Sequence, residues 1–456
     1  MQEIPAPPGK NYLPYQLKGI RYALGGRGTL IADEMGLGKT VQAIGVINAI
    51  SNGRNDITVV IVCPAFLRLN WHEELDRWMV NSCKVSVVSY NKIGLLSEDT
   101  CDSYIDILII DEAHYIKNPE SNRAIQLETI AKRAKRVIAL TGTPMENRPI
   151  ELWQILKIVC PDKWTESMDS RGYMLSPDRK KSHPGEGPAF WAFAERYCDL
   201  KYSYYQTRFG RRKALDFSGA SNLSELGQKL RATCMVRRLK KDVLTELPRK
   251  RRQLVILPSD ANDSDLLPHM SEENYEEVVE RMKVERIAFE DWSRRRHEQA
   301  LAKVDQCLRF IGDVLDETRK LIIFAHHTDV IEKLGSGIGC ELGGNEFSVT
   351  VTGEVSMKAR DIAVKEFQEN PLCRVIIGSI GAMGVGLTLT AADHVIFVEL
   401  DPVPGRLSQA EDRAHRIGQR KSVLVQHLVA QGSLCARMAQ IVVKKQAVIE
   451  EGLGDV

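Results

Sequence analysis

One short segment constrains the fold of this chain more than any other, because it puts glycines and a lysine between a strand and a helix. Residues 32–40 have the sequence Ala-Asp-Glu-Met-Gly-Leu-Gly-Lys-Thr. They follow an apolar stretch at residues 29–32 and precede a helical segment at residues 40–50. Glycines in such a loop let backbone N–H groups turn inward around phosphates, and the helix N-terminus adds positive potential. The segment therefore predicts a phosphate-binding loop in an α/β fold.

Within this phosphate loop, residues 32–40, each position has an expected task. Lys39 should reach the β- and γ-phosphates of a nucleotide, and the Thr40 hydroxyl can hold Mg²⁺. The other positions expected to line the nucleotide are Asp33, Glu34, Met35, Gly36, Leu37 and Gly38. The spacing departs from Gly-x-x-x-x-Gly-Lys-Ser/Thr at the first glycine, where Asp33 stands. Considered alone, the segment could also be an ordinary glycine-bearing turn.

Strand and helix patterns alternate in two parts of the chain, at about residues 12–160 and 300–456, which is typical of parallel sheets covered on both faces. The strand candidates are residues 29–32, 57–63, 85–89, 105–110, 136–141, 320–324, 347–352, 374–378, 394–398 and 423–428. We predict a first α/β lobe at residues 1–234 with a helical insertion at about 160–234. A linking block with a helical protrusion should occupy residues 235–310, and a second α/β lobe residues 311–456.

Two adjacent carboxylates, Asp111 and Glu112, follow the apolar strand candidate at residues 105–110. Phosphoryl transfer needs charge neutralisation and an aligned nucleophile more than covalent chemistry. We therefore expect Asp111 to hold Mg²⁺ and Glu112 to orient and deprotonate the attacking water. A solvated acidic strand end is the alternative, which the phosphate loop makes less favourable.

Two further pairs of polar residues are candidates for the active site, a pair of threonines after a strand candidate and a pair of arginines in the second lobe. Thr141 and Thr143 lie in Leu-Thr-Gly-Thr-Pro, where their hydroxyls could link hydrolysis to movement of the second lobe. Arg413 and Arg416 are three residues apart and share a face if the segment is helical. Such a pair can stabilise the γ-phosphate as its charge develops, in the manner of an arginine finger. Alternatively, both could pair with Glu411 and Asp412 on a solvated helix.

The net charge of +2 conceals a basic island at residues 201–252, with 15 Lys and Arg against 4 Asp and Glu. Such a density is expected for a surface that meets a phosphate backbone, although a solvated helix face would look similar. No apolar run approaches the roughly 20 residues that span a bilayer, and the first ten residues lack the pattern of a secretory signal. We expect an intracellular protein without a membrane segment, and the cysteine and histidine spacing predicts no structural metal.

These blocks, in this order, resemble the superfamily-two motors, specifically the Swi/Snf family of DNA-dependent ATPases, over nearly the whole chain. Besides the motifs above, the resemblance rests on Tyr15-Gln16, on residues 62–64 with Trp71, and on Arg-Arg-Leu-Lys-Lys-Asp-Val-Leu at residues 237–244. It also rests on Asn147 with residues 151–153 and on His-Arg-Ile-Gly-Gln at residues 415–419. Residues 405–413 and 428–432 look similar to those of HARP-type annealing helicases, although no Trp precedes the Pro-Gly element at residues 404–405.

The resemblance implies two RecA-like lobes with ATP and Mg²⁺ between them, Gln16 at the adenine and Gln409 in coupling. It also implies duplex DNA, contacted mainly through its phosphates. The residues expected at DNA, including four from the basic island, are Pro64, Phe324, Thr352, Gly353, Ser379, Gly384, Gly386, Arg237, Arg238, Lys240 and Lys241.

The expected function is ATP hydrolysis coupled to translocation on duplex or branched DNA, with fork remodelling or annealing as one form of it. A strand-separating helicase, a nucleosome-remodelling motor and an ATP-gated DNA-binding switch that does not translocate are the alternatives. The resemblance implies a protein that works as a monomer, in the cytoplasm of a bacterial or phage host or in a eukaryotic nucleus. No docking module is expected before Tyr15.

Overall fold

The computed structural model describes most of the 456-residue chain. The described residues are 3–54, 56–95, 104–145, 148–166, 188–207, 210–217, 219–244, 246–257, 286–342, 344, 347–384, 386–401, 403–430, 436, 439, 442, 449 and 453. Asn147 and Pro402 lie outside these ranges, as do the Gly/Pro/Ser-rich loop at residues 182–187 and the acidic loop at residues 259–265.

The chain divides into two compact units, and their bounds differ from the predicted ones. Unit 1 comprises Met1–Tyr204, Lys213–Thr245 and Gln446–Val456, whereas unit 2 comprises Tyr205–Arg212 and Glu246–Lys445. The predicted linking block at residues 235–310 is therefore not a separate element, because its first part belongs to unit 1 and the rest to unit 2. The chain end also returns to unit 1, where Leu453 is fully buried in the core.

Unit 1 contains a six-stranded sheet in the order β3-β2-β4-β5-β1-β8, and every pairing in it is parallel. The strands are β1 (Gly28–Ile31), β2 (Thr58–Cys63), β3 (Lys84–Ser89), β4 (Ile105–Asp111), β5 (Ala134–Leu140) and β8 (Met235–Val236). The helices of this unit are α1 (Pro14–Leu24), α2 (Lys39–Ile50), α3 (Arg68–Trp78), α4 (Asn122–Lys132), α5 (Leu152–Val159), α6 (Pro188–Tyr197), α7 (Leu223–Thr233) and α8 (Lys240–Val243).

The central strands of unit 1 are mostly apolar because both faces of the sheet are covered. Alternate residues of β4 enter different cores: Leu108 and Ile110 pack in one, and Ile107 and Ile109 in the other. All four are fully buried. Since all strands of the sheet are parallel, the polar residues that follow β1, β4 and β5 lie at one edge of it, which is where α/β sheets bind ligands.

Unit 2 contains a second six-stranded parallel sheet in the order β11-β12-β10-β13-β14-β9. The strands are β9 (Lys250–Leu257), β10 (Leu321–Ala325), β11 (Ser348–Val351), β12 (Val375–Ser379), β13 (His394–Phe397) and β14 (Val423–Ala430). The helices are α9 (Arg286–Ala302), α10 (Val304–Glu317), α11 (Thr328–Leu342), α12 (Met357–Glu369), α13 (Ile380–Met383) and α14 (Pro404–Glu411). The predicted α/β class with two parallel sheets is confirmed.

The range of the predicted helical insertion, about residues 160–234, contains helices α6 and α7, but the part of the basic island within it is not entirely helical. The first part of the basic island forms two strands, β6 (Lys201–Thr207) and β7 (Gly210–Asp216), which pair as a separate two-stranded sheet. Its last part forms the edge strand β9 of the second sheet. Tyr202 and Tyr204 flank Ser203 in β6, and such alternation of aromatic and polar residues suits a strand. No helix among the described residues is both long and apolar enough to cross a membrane.

Candidate active site

The phosphate loop connects β1 to α2 and has the backbone that a phosphate cradle requires. Gly36 and Gly38 adopt φ angles of 83° and 69°, a region that disfavours residues with a Cβ. Gly38 immediately precedes α2, so the first N–H groups of that helix open toward the loop. The Lys39 ammonium donates to the carbonyl oxygens of Asp33, at 2.8 Å, and Glu34, at 3.4 Å.

Burial governs the charge of Lys39. It lowers the pKa of the ammonium, and the nearby carboxylates of Glu112, Asp33 and Asp111 oppose that shift. The ammonium is thus held close to the end of β4, and a phosphate would supply the negative charge that its burial calls for. The structure brings the predicted phosphate lysine and the predicted acidic pair together.

Tyr15 and Gln16 support the phosphate loop from α1. The Tyr15 hydroxyl donates to the Leu37 carbonyl at 3.2 Å, and Gln16 Nε2 donates to the same oxygen at 3.4 Å. Gln16 Oε1 accepts from the Leu13 N–H at 2.9 Å and so caps α1. A Cβ on Gly38 would lie 2.6 Å from Gln16 Nε2, so glycine is needed for this approach. The role of Gln16 at adenine stays a prediction.

Asp33, which replaces the first glycine of the loop, has a supporting role. Its fully buried carboxylate accepts from Arg238 at 2.9 Å and from Gln42 Nε2 at 2.8 Å, both through Oδ2. Burial raises the pKa of Asp33, and Arg238 opposes that shift. Its carboxylate is therefore engaged by the protein, and its carbonyl accepts from Lys39. The prediction that position 33 lines the nucleotide stays a prediction.

Three of the four predicted DNA-contact residues in the basic island serve the phosphate loop as well. Arg237 donates to the carbonyls of Ala32, at 2.7 Å, and Gly142, at 3.3 Å. The Lys240 N–H donates to Glu34 Oε2 at 2.7 Å, and the Lys240 side chain is buried beside that carboxylate. The contact of Arg238 with Asp33 belongs to the same set. The predicted DNA role of Arg237, Arg238 and Lys240 stays a prediction. Lys241 is exposed, and its prediction stands.

Asp111 ends β4 in a position where both carboxylate oxygens are oriented by donors. Oδ2 accepts from the Trp71 indole N–H at 2.8 Å, and Oδ1 accepts from the Glu112 N–H at 3.0 Å. The Tyr90 hydroxyl donates to the Asp111 carbonyl at 2.8 Å. Burial, aided by the charge of Glu112, raises the pKa of Asp111 to about 7. A cation at this carboxylate would favour its ionised form.

Glu112 adopts a left-handed backbone, with φ 51° and ψ 56°, which is uncommon for a residue with a Cβ and stores local strain. Its Oε2 is buried and accepts no hydrogen bond from any residue in the described part of the chain. His114 Nδ1 lies 3.3 Å from that oxygen and 3.2 Å from Thr141 Oγ1. The Thr143 N–H donates to the same hydroxyl oxygen at 3.1 Å. The predicted base and the predicted coupling threonines thus form one chain of contacts.

The donor set suits Mg²⁺. Thr40 supplies a hydroxyl beside Lys39, and Asp111 supplies a carboxylate whose orientation is fixed. Hydroxyl and carboxylate oxygens are the ligands that Mg²⁺ prefers, and Mg²⁺ keeps several waters when substrate phosphates complete its shell. When bound, the ion would neutralise phosphate charge.

Arg413 and Arg416 follow α14 rather than lying on it, because that helix ends at Glu411. Both guanidinium groups donate to the Leu387 carbonyl at 3.2 Å. Arg413 also donates to the Gln409 carbonyl at 3.0 Å, and Arg416 to Thr388 Oγ1 at 2.9 Å. A turn, and not a helix face as expected, brings the two arginines together at the Leu387 carbonyl. Their role at the γ-phosphate stays a prediction.

Comparison with known families agrees with these motifs. The profile of the SNF2-related domain matches residues 15–94 and 79–309, which together span more than half of the chain. The chain belongs to the SNF2-related family. The helicase conserved C-terminal domain matches residues 302–418 of this SNF2-related chain. The Swi/Snf assignment made from the motifs is confirmed, and with it the assignment to a family of ATP-hydrolysing enzymes.

Curated relatives of the SNF2-related chain include two eukaryotic proteins. "DNA annealing helicase and endonuclease ZRANB3" from Bos taurus is 35% identical and covers 92% of this chain and 38% of its own length. "SWI/SNF-related matrix-associated actin-dependent regulator of chromatin subfamily A-like protein 1" from Xenopus tropicalis is 32% identical. The match covers 95% of this chain and 44% of the relative's own length. The chain spans about two-fifths of the length of these relatives. The expected resemblance to annealing helicases is confirmed.

A solved structure, "Sulfolobus solfataricus SWI2/SNF2 ATPase core in complex with dsDNA", is also similar to the SNF2-related chain. It is 23% identical, covers 97% of this chain and 92% of its own, and has a TM-score of 0.42.

The other residues that the SNF2-related resemblance puts at DNA differ in exposure. Gly353 and Gly386 are exposed, Thr352 and Ser379 are half-buried, and the Ser379 hydroxyl caps α13 by accepting from the Ala382 N–H at 3.1 Å. Pro64 and Gly384 are buried, and a Cβ on Gly384 would lie 2.3 Å from the Ile380 carbonyl oxygen. The predicted DNA contacts therefore stay predictions for the segments around these residues. The side chain of the buried Pro64 is not itself expected to reach DNA.

Phe324 is the clearest correction among them. It lies in β10 with no exposed surface and stacks on Phe397 at 4.9 Å between ring centroids. Alternate residues of that strand face opposite cores of the sheet, and Phe324 faces one of them. Its side chain therefore belongs to the core of unit 2 and is not a DNA contact.

Trp71 is the functional residue that sequence reasoning left without a role in this SNF2-related chain. A tryptophan in an amphipathic helix is ordinarily a core residue, and Trp71 is fully buried in α3. Its hydrogen bond to Asp111 orients the carboxylate that is predicted to hold Mg²⁺, and partners that orient metal ligands influence metal affinity. The pairing joins positions 40 residues apart, which no local pattern indicates.

We expect Trp71→Phe to weaken Mg²⁺-dependent nucleotide binding by about 10- to 100-fold, because the ring is kept while the N–H that orients Asp111 is lost. The measurement is titration with a fluorescent ATP analogue, with Mg²⁺ and again in EDTA. Affinity in EDTA should hardly change. Trp78→Phe on the same helix, where the ring stacks on Tyr12, is the matched control. An equal loss with and without Mg²⁺ would contradict the role.

Proposed function

We propose that this chain is an ATP-dependent translocase that acts on duplex or branched DNA. The observation that carries the proposal is the assembly at one sheet edge of Lys39, the Asp111–Glu112 pair and the His114–Thr141 link. This is a phosphoryl-transfer site with a built-in contact to a second motif. The family match and the relative from Bos taurus, which is named as a DNA annealing helicase, support the choice of partner.

In the proposed mechanism, Lys39 and the N–H groups of the phosphate loop bind the ATP phosphates, while Thr40 and Asp111 hold Mg²⁺. Glu112 Oε2, which accepts no other hydrogen bond among the described residues, takes the proton of the attacking water. Arg413 and Arg416 supply positive charge as the transition state forms. The hydroxyl of Thr141, through His114, makes the position of Glu112 sensitive to the segment that carries Thr143.

Steady-state ATP hydrolysis with no DNA, single-stranded DNA, blunt duplex and forked duplex tests the proposal, with Lys39→Ala as the blank. We expect strong stimulation by duplex and fork, and a preference for the fork would support annealing or fork remodelling. Equal rates in all four would contradict DNA-coupled hydrolysis. Displacement of a triplex-forming strand placed away from the entry site separates translocation from an ATP-gated switch, and release of a labelled duplex strand would favour a strand-separating helicase.

A further inference from the structure

A group of four charges in unit 2, which we call the β9 clamp, joins Lys250 and Arg252 to the buried carboxylates of Glu411 and Asp412. The Lys250 ammonium lies 2.9 Å from Glu411 Oε2 and 2.9 Å from Asp412 Oδ1. Arg252 donates to both Glu411 oxygens, through Nη2 at 2.7 Å and Nε at 2.9 and 3.0 Å. Two residues of strand β9 thus form ion pairs with the C-terminal end of helix α14, directly before the arginine pair.

The two carboxylates of the clamp are almost inaccessible to solvent, whereas Arg252 lies at its exposed side. The side chains of Glu411 and Asp412 are 2% and 4% exposed, and that of Lys250 is 13% exposed. Burial alone would raise the pKa of Glu411, but Lys250 and Arg252 overcome this and lower it to about 2. The carboxylate therefore stays ionised at every pH at which the protein would work, and the clamp stays charged.

The turn behind the clamp is tied to it by the backbone. The Glu411 carbonyl accepts from the N–H groups of Ala414, at 3.2 Å, and His415, at 3.3 Å. His415 Nε2 lies 2.7 Å from the carbonyl oxygen of Pro248, which can only accept, so that nitrogen carries the proton. The segment before β9 and the start of β9 thus hold both ends of the turn at residues 411–415.

Stability alone does not account for such a cluster. Burying ion pairs costs desolvation that their attraction roughly repays, and apolar residues of similar size often serve stability as well or better. A buried charged network instead fixes one geometry, because each member has few alternative partners. What the clamp fixes is the turn that carries Arg413 and Arg416.

We propose that Lys250 and Arg252 are positioning residues for ATP hydrolysis, which hold the Arg413–Arg416 turn in its working geometry, and that their charges do not serve to bind DNA phosphates. The inference rests on the proposed function, in which that arginine pair stabilises the transition state. It gives Lys250 and Arg252 of the basic island an indirect part in catalysis, through the Arg413–Arg416 turn.

Lys250→Met tests this assignment in the full chain. A misplacement of about 1 Å in a catalytic group can cost about 100-fold in rate, so we expect kcat at saturating duplex to fall by about 10- to 100-fold. The KM for ATP, the Kd for duplex and the salt dependence of that Kd should change less than about twofold, and Lys250→Arg should recover part of the rate. Lys365→Met, which removes an exposed ion pair with Glu369 in the same unit, is the matched control.

The opposite pattern would overturn the proposal: unchanged kcat with weaker duplex binding and a shallower salt slope identifies Lys250 as a phosphate contact. If Lys250→Met does not fold, because it leaves Glu411 and Asp412 without their shared cation, Arg252→Met decides by the same criteria. Arg252 is 47% exposed, so its removal disturbs the core less.

Arg416→Ala, measured in parallel, separates this inference from the proposed function. Near wild-type turnover by Arg416→Ala would contradict the assignment of Arg416 as an arginine finger, and with it this part of the proposed function. A large loss in Arg416→Ala with full activity in Lys250→Met and Arg252→Met would leave that role intact and reject only the positioning role of the clamp.

Discussion

Glu112→Gln is expected to bind ATP about as well as the wild type and to hydrolyse it about 10²- to 10⁴-fold more slowly, the range that a general base contributes. Glutamine has the same shape as glutamate but does not accept a proton from water. The structure sharpens this expectation, because Glu112 Oε2 is buried and no described residue donates a hydrogen bond to it. Single-turnover hydrolysis and fluorescent-nucleotide titration measure the two quantities separately.

Asp111→Asn provides the matched comparison for that experiment. The two carboxylates are adjacent, yet Asp111 is held by Trp71 and by the Glu112 N–H, as a metal-binding carboxylate would be. We therefore expect the Asp111 variant to lose Mg²⁺-dependent affinity and the Glu112 variant to keep it. Hydrolysis near the wild-type rate by Glu112→Gln would contradict its assignment as the base.

The strands and the nucleotide motifs could be predicted from the sequence because both depend on local patterns. A strand covered on both faces must be apolar throughout, and all ten strand candidates coincide with strands to within two residues at each end. The phosphate loop and the acidic pair follow such strands directly. Parallel strands then bring these segments to one edge of the sheet whatever the details of the loops.

Charges that pair over long separations could not be predicted in the same way. Arg238 and Asp33 are 205 residues apart, and Lys250 and Asp412 are 162 residues apart. A count of basic residues does not show which of them pair with distant carboxylates. The basic island was therefore interpreted as a free cationic surface. Strand β9 was missed for the same reason, because Lys250 and Arg252 interrupt the apolar pattern of a strand while facing buried carboxylates.

Lys39→Ala is expected to abolish detectable nucleotide binding. Removing one member of a buried charge pair costs about 3–5 kcal/mol, or roughly 10²- to 10³-fold or more in affinity. In this site the ammonium of Lys39 would lie near both the ATP phosphates and the carboxylates of Glu112 and Asp111. Its loss would leave the negative phosphates and the negative carboxylates close to each other without a cation. Isothermal titration with ATP and Mg²⁺ measures the effect, and Lys39→Met, which keeps most of the side-chain volume, is its companion.

The stability of the ligand-free variant distinguishes a lost ligand contact from damage to the fold. Burial lowers the pKa of Lys39 in the folded protein, so at neutral pH, well below the pKa of an unfolded lysine, the charged ammonium costs stability. Removing it should leave the Tm without nucleotide unchanged or raised, while the rise in Tm that ATP and Mg²⁺ cause in the wild type disappears. A lowered Tm without nucleotide would mean that Lys39 holds the phosphate loop together through its bonds to the Asp33 and Glu34 carbonyls, and that lost binding is a secondary effect.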